Sequence, residues 1–299
     1  MNTFDKAEAP VMAIPVKDKL TLIKDTEFEG ERPLYKSRDL LLENVTIHVG
    51  ESSLKECRNI VAIDCTFEGK YPFWETNGFI VRNCLFRPGA RSALWYSHNM
   101  EMLDTLVEAP KMFRDSSHLY LRNVRFPDAQ ETFWHCSHVK LEDVEVSKGD
   151  YLFMDSDNIE IERYKHQGNY AFQYARNVII RDAFLDSKDA LWNTENVTVI
   201  NSTIDGEYLA WYSKNLHLIN CHIGGTQPLC YCEGLVLENC TFADDADLAF
   251  EYSRLNADIR GHVVSVKNPT SGRIIADSIG ETIIDENILP PADCSIEQR

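Results

Sequence analysis

The chain has 299 residues, a net charge of −17 and 44% hydrophobic residues, an apolar content that suits a folded protein and not a disordered one. The acidic balance excludes a nucleic-acid-binding surface. It also disfavours anionic membranes and acidic polysaccharides, unless a cation bridges them. No stretch approaches 18 apolar residues, so no membrane-crossing helix is expected.

Residues 1–38 come first. Their opening, MNTFDKAEAPVMAIPVKDKL, lacks the basic start and unbroken apolar run of a signal peptide. Nine cysteines in such a chain read as reduced thiols, and a cytoplasmic location is expected. An N-terminal cap is predicted here, with an imperfect first coil at Leu20-Thr-Leu-Ile23.

From residue 39 a repeat sets in. Asp39, Asn59, Gly78, Asn99, His118, His138, Asn158, Asn177, Asn196, Asn215 and Gly234 follow one another at spacings of 19 to 21 residues. Counting each as position zero, +1 and +3 are apolar throughout, the period of two that a strand requires. Position +5 is polar (Asn44, Asp64, Asn83 and onward), which breaks the strand, and apolar residues resume at +8. A third segment, such as Phe133-Trp-His135, precedes position zero. The pattern predicts an all-β, single-stranded, right-handed parallel β-helix of about 11–12 coils with three short strands per coil. A leucine-rich repeat places its asparagine three residues after a leucine; here the Asn/Asp falls two after the apolar +3 position. Residues 39–253 hold the regular coils and 254–299 degenerate final coils and a tail, all in one domain.

Stacking turns each position into a column along the solenoid. The position-zero asparagines are expected to form an internal hydrogen-bonded ladder. Cysteines at +6 (Cys65, Cys84, Cys221, Cys240) and −2 (Cys57, Cys136, Cys232) are expected to be stacked core thiols. Cys230 and Cys232 lack further ligands, so no metal site is predicted, nor any cofactor; a divalent cation has no supporting cluster.

All five tryptophans, Trp74, Trp95, Trp134, Trp192 and Trp211, fall at position −4, together with Arg114, Gln173 and Glu251. Position −5 is purely apolar, so alternation turns −4 outward and predicts an aromatic binding strip, with carbohydrate as the ligand. The competing reading packs the indoles under a loop, a tail or a partner subunit, or reverses the parity and buries them. Position −3 adds Glu75, Tyr96, Asp115, His135, Asp155, Tyr174 and Tyr212. Asp115 and Asp155, two rungs apart and so roughly 9 to 10 Å, have the separation of an inverting glycosidase's acid and base. His135 would lie between them, with Arg114 holding an anionic group. The expected function is carbohydrate interaction, extending to glycan cleavage or modification. The alternative is a non-catalytic scaffold that meets a protein partner or a second copy of itself.

The segments Gly30-Glu-Arg-Pro-Leu-Tyr35, Lys188-Asp-Ala-Leu-Trp192, Gly206-Glu-Tyr-Leu209 and Leu248-Ala-Phe-Glu-Tyr252 resemble the bacterial domain-of-unknown-function family numbered 3737. The resemblance spans roughly residues 26–287 and implies a right-handed β-helix of the pectin-lyase-like type. The family has no settled activity and names no catalytic residue. The Asn-Thr-Asp, Asp-Asp, His-Gly and Arg-Ile-Lys segments of polygalacturonases have no counterpart set here.

Overall fold

The computed structural model describes residues 19–287 and 293–299. The chain is a right-handed parallel β-solenoid of about 14 turns, without an α-helix among the described residues. That exceeds the 11–12 coils counted from the position-zero series, because pairing runs beyond it at both ends. Thr21–Glu31 pairs with Arg38–Glu51. Past the regular coils, Arg254–Lys267 pairs with Ser271–Ile283, and Asp293–Gln298 adds one more rung. Residues 1–18 of the N-terminal cap expected over 1–38, and residues 288–292 of the expected tail, lie outside the described residues.

The sheet follows directly from the apolar columns. Leu40, Ile60, Phe79, Met100, Leu119, Val139, Ile159, Val178, Val197 and Leu216 are register partners on successive rungs. All of them are buried, as is the +3 column from Leu42 to Leu237. A one-residue slip would turn both columns to solvent, and this is what holds the register.

Two corners per coil use left-handed backbone. Asn, Asp, His and Arg at position zero and at +5 have φ between 51° and 58°, and Gly78 and Gly234 take the same corner at 69° and 70°. Asn, Asp and Gly tolerate this conformation best, which explains the two polar columns. The position-zero ladder forms, but on the outside. Asn196 donates to Asn177 at 3.2 Å and Asn215 to Asn196 at 3.0 Å, all at least partly exposed. At an αL corner the side chain leaves the core, which corrects the expected internal ladder.

The internal ladder belongs to small hydroxyls and thiols. Every residue at −2 from Thr76 to Ser253 is buried. Ser116 Oγ donates to the Leu94 carbonyl at 2.8 Å and accepts the Ser97 N–H at 3.1 Å. Cys136 Sγ donates to the Phe113 carbonyl at 3.5 Å and Ser156 Oγ to that of Phe133 at 2.6 Å. Position +6 works alike, with Cys84 Sγ donating to the Ala62 carbonyl and Ser202 Oγ accepting the Ala183 N–H. Where the chain turns inside the wall, backbone groups need a short side chain to satisfy them. The cysteines at both positions are free and buried, as their columns require.

One coil departs from the pattern. At +6 and +8 it carries Tyr164 and His166, both buried, where neighbours have Val, Ala, Leu or Ile. His166 Nε2 lies 3.1 Å from the Gly168 carbonyl and donates to it, and Nδ1 lies 3.1 Å from the Tyr164 hydroxyl. Burial pushes the imidazole pKa down to about 4, so near neutral pH the ring is uncharged and Nδ1 accepts the Tyr164 O–H.

Candidate functional site

The third side of each coil is a string of turns and not a regular strand. In most coils −7, −5 and −3 have positive φ; for example Glu131, Phe133 and His135 lie at 54°, 61° and 53°. Left-handed backbone at a bulky residue costs about 1–2 kcal/mol. Burying the −5 Phe or Leu offsets this, since such a side chain contributes roughly 1.5–3 kcal/mol. Hydrogen bonds hold the register: each −3 N–H donates to the −4 carbonyl of the next coil, as from Asp115 to Trp134 at 3.0 Å and from His135 to Met154 at 3.0 Å.

This backbone settles which way the tryptophans point. Phe73, Leu94, Phe113, Phe133, Phe153, Phe172 and Leu191 at −5 are buried, while all five tryptophans at −4 are half-buried. The indoles lie along the wall and neither dive into the core nor stand free. Trp95 Nε1 donates to the Lys111 carbonyl at 2.8 Å and Trp211 Nε1 to that of Gln227 at 2.9 Å, each at −7 of the next coil. Ring faces turn toward neighbouring rungs: Trp74 and Trp95 are 5.0 Å apart at 32°, and Arg114 sits between Trp95 and Trp134. Faces of Trp74, Trp95 and Trp134 are therefore engaged along the solenoid axis, while Trp192 meets Tyr174 and Trp211 meets Tyr231 edge to face.

Other expected site residues are also occupied. Arg114 is drawn between two indoles, with Glu131 at 3.7 Å, so it does not stand free to hold an anionic group. Gln173 is only 8% exposed, and Glu251 is bound by Lys267 at 2.9 Å. Both lie within the half-buried −4 column.

Position −3 is the outward row. Glu75, Tyr96, His135, Asp155, Tyr174, Asn193 and Tyr212 are exposed and Asp115 partly so. Asp115 and Asp155 are not left as a bare carboxylate pair. His135 Nδ1 lies 3.3 Å from Asp115 Oδ1, and Arg176 reaches Asp155 at 3.1 Å. Toward the C-terminal coils Tyr212, Tyr231 and Tyr252 stack at 4.9 and 5.6 Å. Tyr231, which shares the −3 column, and Tyr252, one coil further on, were not among the expected site residues, although their spacing repeats that of Tyr212.

The model for the family described as "Protein of unknown function (DUF3737)" matches residues 21–297, nearly the whole chain. The chain belongs to this family. No curated protein matches this DUF3737 member. Among solved structures it is similar to a mutant tailspike protein of E. coli bacteriophage HK620 in complex with pentasaccharide, at 10% identity and a TM-score of 0.44, over 94% of this chain and 72% of that one. It is likewise similar to the A-module of the mannuronan C-5 epimerase AlgE6 of Azotobacter vinelandii, at 10% identity and a TM-score of 0.41, over 91% and 92%. At such identities the likeness concerns the fold alone.

Proposed function

We propose that the side formed by positions −4 and −3 binds an extended, neutral glycan lying along the solenoid axis. One observation carries the reading: each rung presents one outward side chain at −3, and among these Tyr96, Tyr174 and Tyr212 are 41%, 40% and 46% exposed. A phenol offers an apolar ring and a polar tip together, which suits a sugar. Rungs repeat at about 4.8 Å, close to the length of one sugar ring. The tryptophans serve as the floor of this strip, and Glu75, Asp115, His135, Asp155 and Asn193 supply hydrogen-bonding groups between the aromatic positions. The role proposed is binding. Cleavage by Asp115 and Asp155 would require the glycan to displace His135 and Arg176 from them.

A glycan array followed by titration of the best ligand tests this. The Tyr96→Ala/Tyr212→Ala double variant should weaken binding at least tenfold with an unchanged melting temperature. No binding to any glycan, or unaltered binding by the double variant, would count against it. Turnover of a bound glycan that Asp115→Asn and Asp155→Asn each abolish would extend the role to catalysis. The engaged indole faces favour a second reading, a scaffold that meets a protein or another copy. Solution mass separates the two, since a dimer covering Tyr96 and Tyr212 leaves no room for a glycan.

A further inference from the structure

The corner at +5 lies across the coil from the tryptophan side, and it is hollow. Depressions of about 500, 570 and 370 Å³ follow one another along it, from Asp64 to Asn239. The second and third share Asn201 and Thr203, and the first ends at Asp104, one rung before the second begins at Asn123. The second and third join into one shallow groove along seven rungs, or about 29 Å at ~4.8 Å per rung, and the first lies on the same side over the three preceding rungs.

One wall of the groove is the exposed +5 column, beside a floor of buried +6 side chains such as Val144, Tyr164 and Ala183. Asp104 accepts from Asn123 at 2.7 Å, Asp143 from Arg163 at 2.6 Å and Asp182 from Asn201 at 3.3 Å, so the carboxylates recur at every second coil. Asp104 and Asp182 each use a single oxygen in these bonds. The rim is the +7 column. There Arg125, Glu145 and Lys165 are register neighbours of alternating sign, all exposed, and none forms an ion pair among the described residues. Phe184, the next partner after Lys165, is 47% exposed, an aromatic ring at the groove's edge with polar groups around it.

Charge and spacing select the ligand class. The central part holds Arg125, Arg163 and Lys165 against Asp143, Glu145 and Asp182, a local balance on a chain of net charge −17. Such a balance favours neither a polyanion nor a polycation. An extended peptide repeats at about 3.3 Å and falls out of step with rungs at ~4.8 Å, whereas a sugar chain keeps step. Charged side chains give hydroxyls their strongest hydrogen bonds, and an exposed ring stacks on the apolar face of a sugar.

We infer that the +5 corner is a second ligand groove, separate from the tryptophan side, for a linear neutral oligosaccharide. Phe184 is its stacking platform, and Arg125, Glu145 and Lys165 are its hydroxyl-binding rim. The inference does not depend on the glycan reading of the −3 row.

Titration with linear β-1,4-, β-1,3- and α-1,4-gluco-oligosaccharides of two to eight residues tests it, with an oligogalacturonate of matching length as the acidic comparison. At least one neutral series should bind, with affinity rising with length. Phe184→Ala and Lys165→Ala, both exposed sites, should each weaken it about fivefold to tenfold, while Tyr96→Ala leaves it unchanged. Absence of binding in every series overturns the groove, as does affinity independent of length. So does wild-type affinity in both Phe184→Ala and Lys165→Ala. Loss of binding in Tyr96→Ala alone would move the ligand to the opposite side. An oligogalacturonate that binds as tightly would refute the neutral class.

Discussion

The guanidinium carbon of Arg114 lies 4.4 Å from the ring centre of Trp134, and Trp95 closes over it from the preceding coil at 4.3 Å. Two cation–π contacts thus bridge three consecutive rungs. Desolvated contacts of this kind contribute up to about 2 kcal/mol each. Arg114→Ala should destabilise the fold by about 1–3 kcal/mol, measured by urea unfolding. Arg114→Lys should recover only part of this, because an ammonium lacks the planar surface that fits between two indoles. Wild-type stability in Arg114→Ala would mean that the indoles close the gap unaided.

The buried −2 ladder predicts a different pattern. Ser116 both donates to Leu94 and accepts from Ser97, so Ser116→Ala leaves two buried backbone groups unpaired. The cost should be about 1–3 kcal/mol. Cys136→Ser places a hydroxyl where the column already accepts one, and should change stability by less than about 1 kcal/mol. Paired unfolding curves check both; equal losses would show that packing, not hydrogen bonding, governs the column.

His166 makes stability depend on pH. Burial lowers its folded pKa to about 4, against an ordinary value of 6.5. Between those values the unfolded chain is protonated at this site and the folded chain is not, so protons favour unfolding. The contribution is complete above pH 6.5, is lost as pH falls toward 4, and adds no further slope below that. His166→Leu should flatten this segment of the stability–pH curve. An unchanged slope in the variant would place the proton uptake elsewhere.

Corner residues at +5 should tolerate glycine better than branched apolar residues. Asn201 has a φ of 52° and links Asp182 to Asn220. Asn201→Val adds β-branched strain of about 1–2 kcal/mol to the lost hydrogen bonds. Asn201→Gly loses the bonds but relieves the backbone, and should melt at a higher temperature than the valine variant. The reverse order would show that the amide ladder dominates this corner.

Much of this molecule was legible from particular residues. The run from Leu40 to Leu235 at +1 specified the strands and their register, since alternate burial is a local property of a strand. The coil count came out short because Thr21–Glu31 and the strands beyond Arg254 pair through backbone hydrogen bonds without repeating the side-chain pattern. The asparagine ladder was legible as a column but was assigned to the wrong side of the wall. Asn at an αL corner and Asn in a core look alike in one dimension. Tyr164 and His166 gave no warning either, because a polar pair in an apolar column becomes sensible only once its hydrogen bonds are visible.

By itself the sequence determined which residues become lateral neighbours, because a repeat of about twenty residues closes one coil whatever the details of its bends. Only the tertiary structure decided where each side chain points on the turn-rich third side. There, left- and right-handed backbone alternate within a few residues, and hydrogen bonds from the adjoining coils select among conformations of similar local energy. That choice set the Trp74 and Trp95 rings against each other, closed Trp95 and Trp134 over Arg114, and left Tyr96, Tyr174 and Tyr212 outward. It also left the hollow at +5, which exists only between stacked rungs.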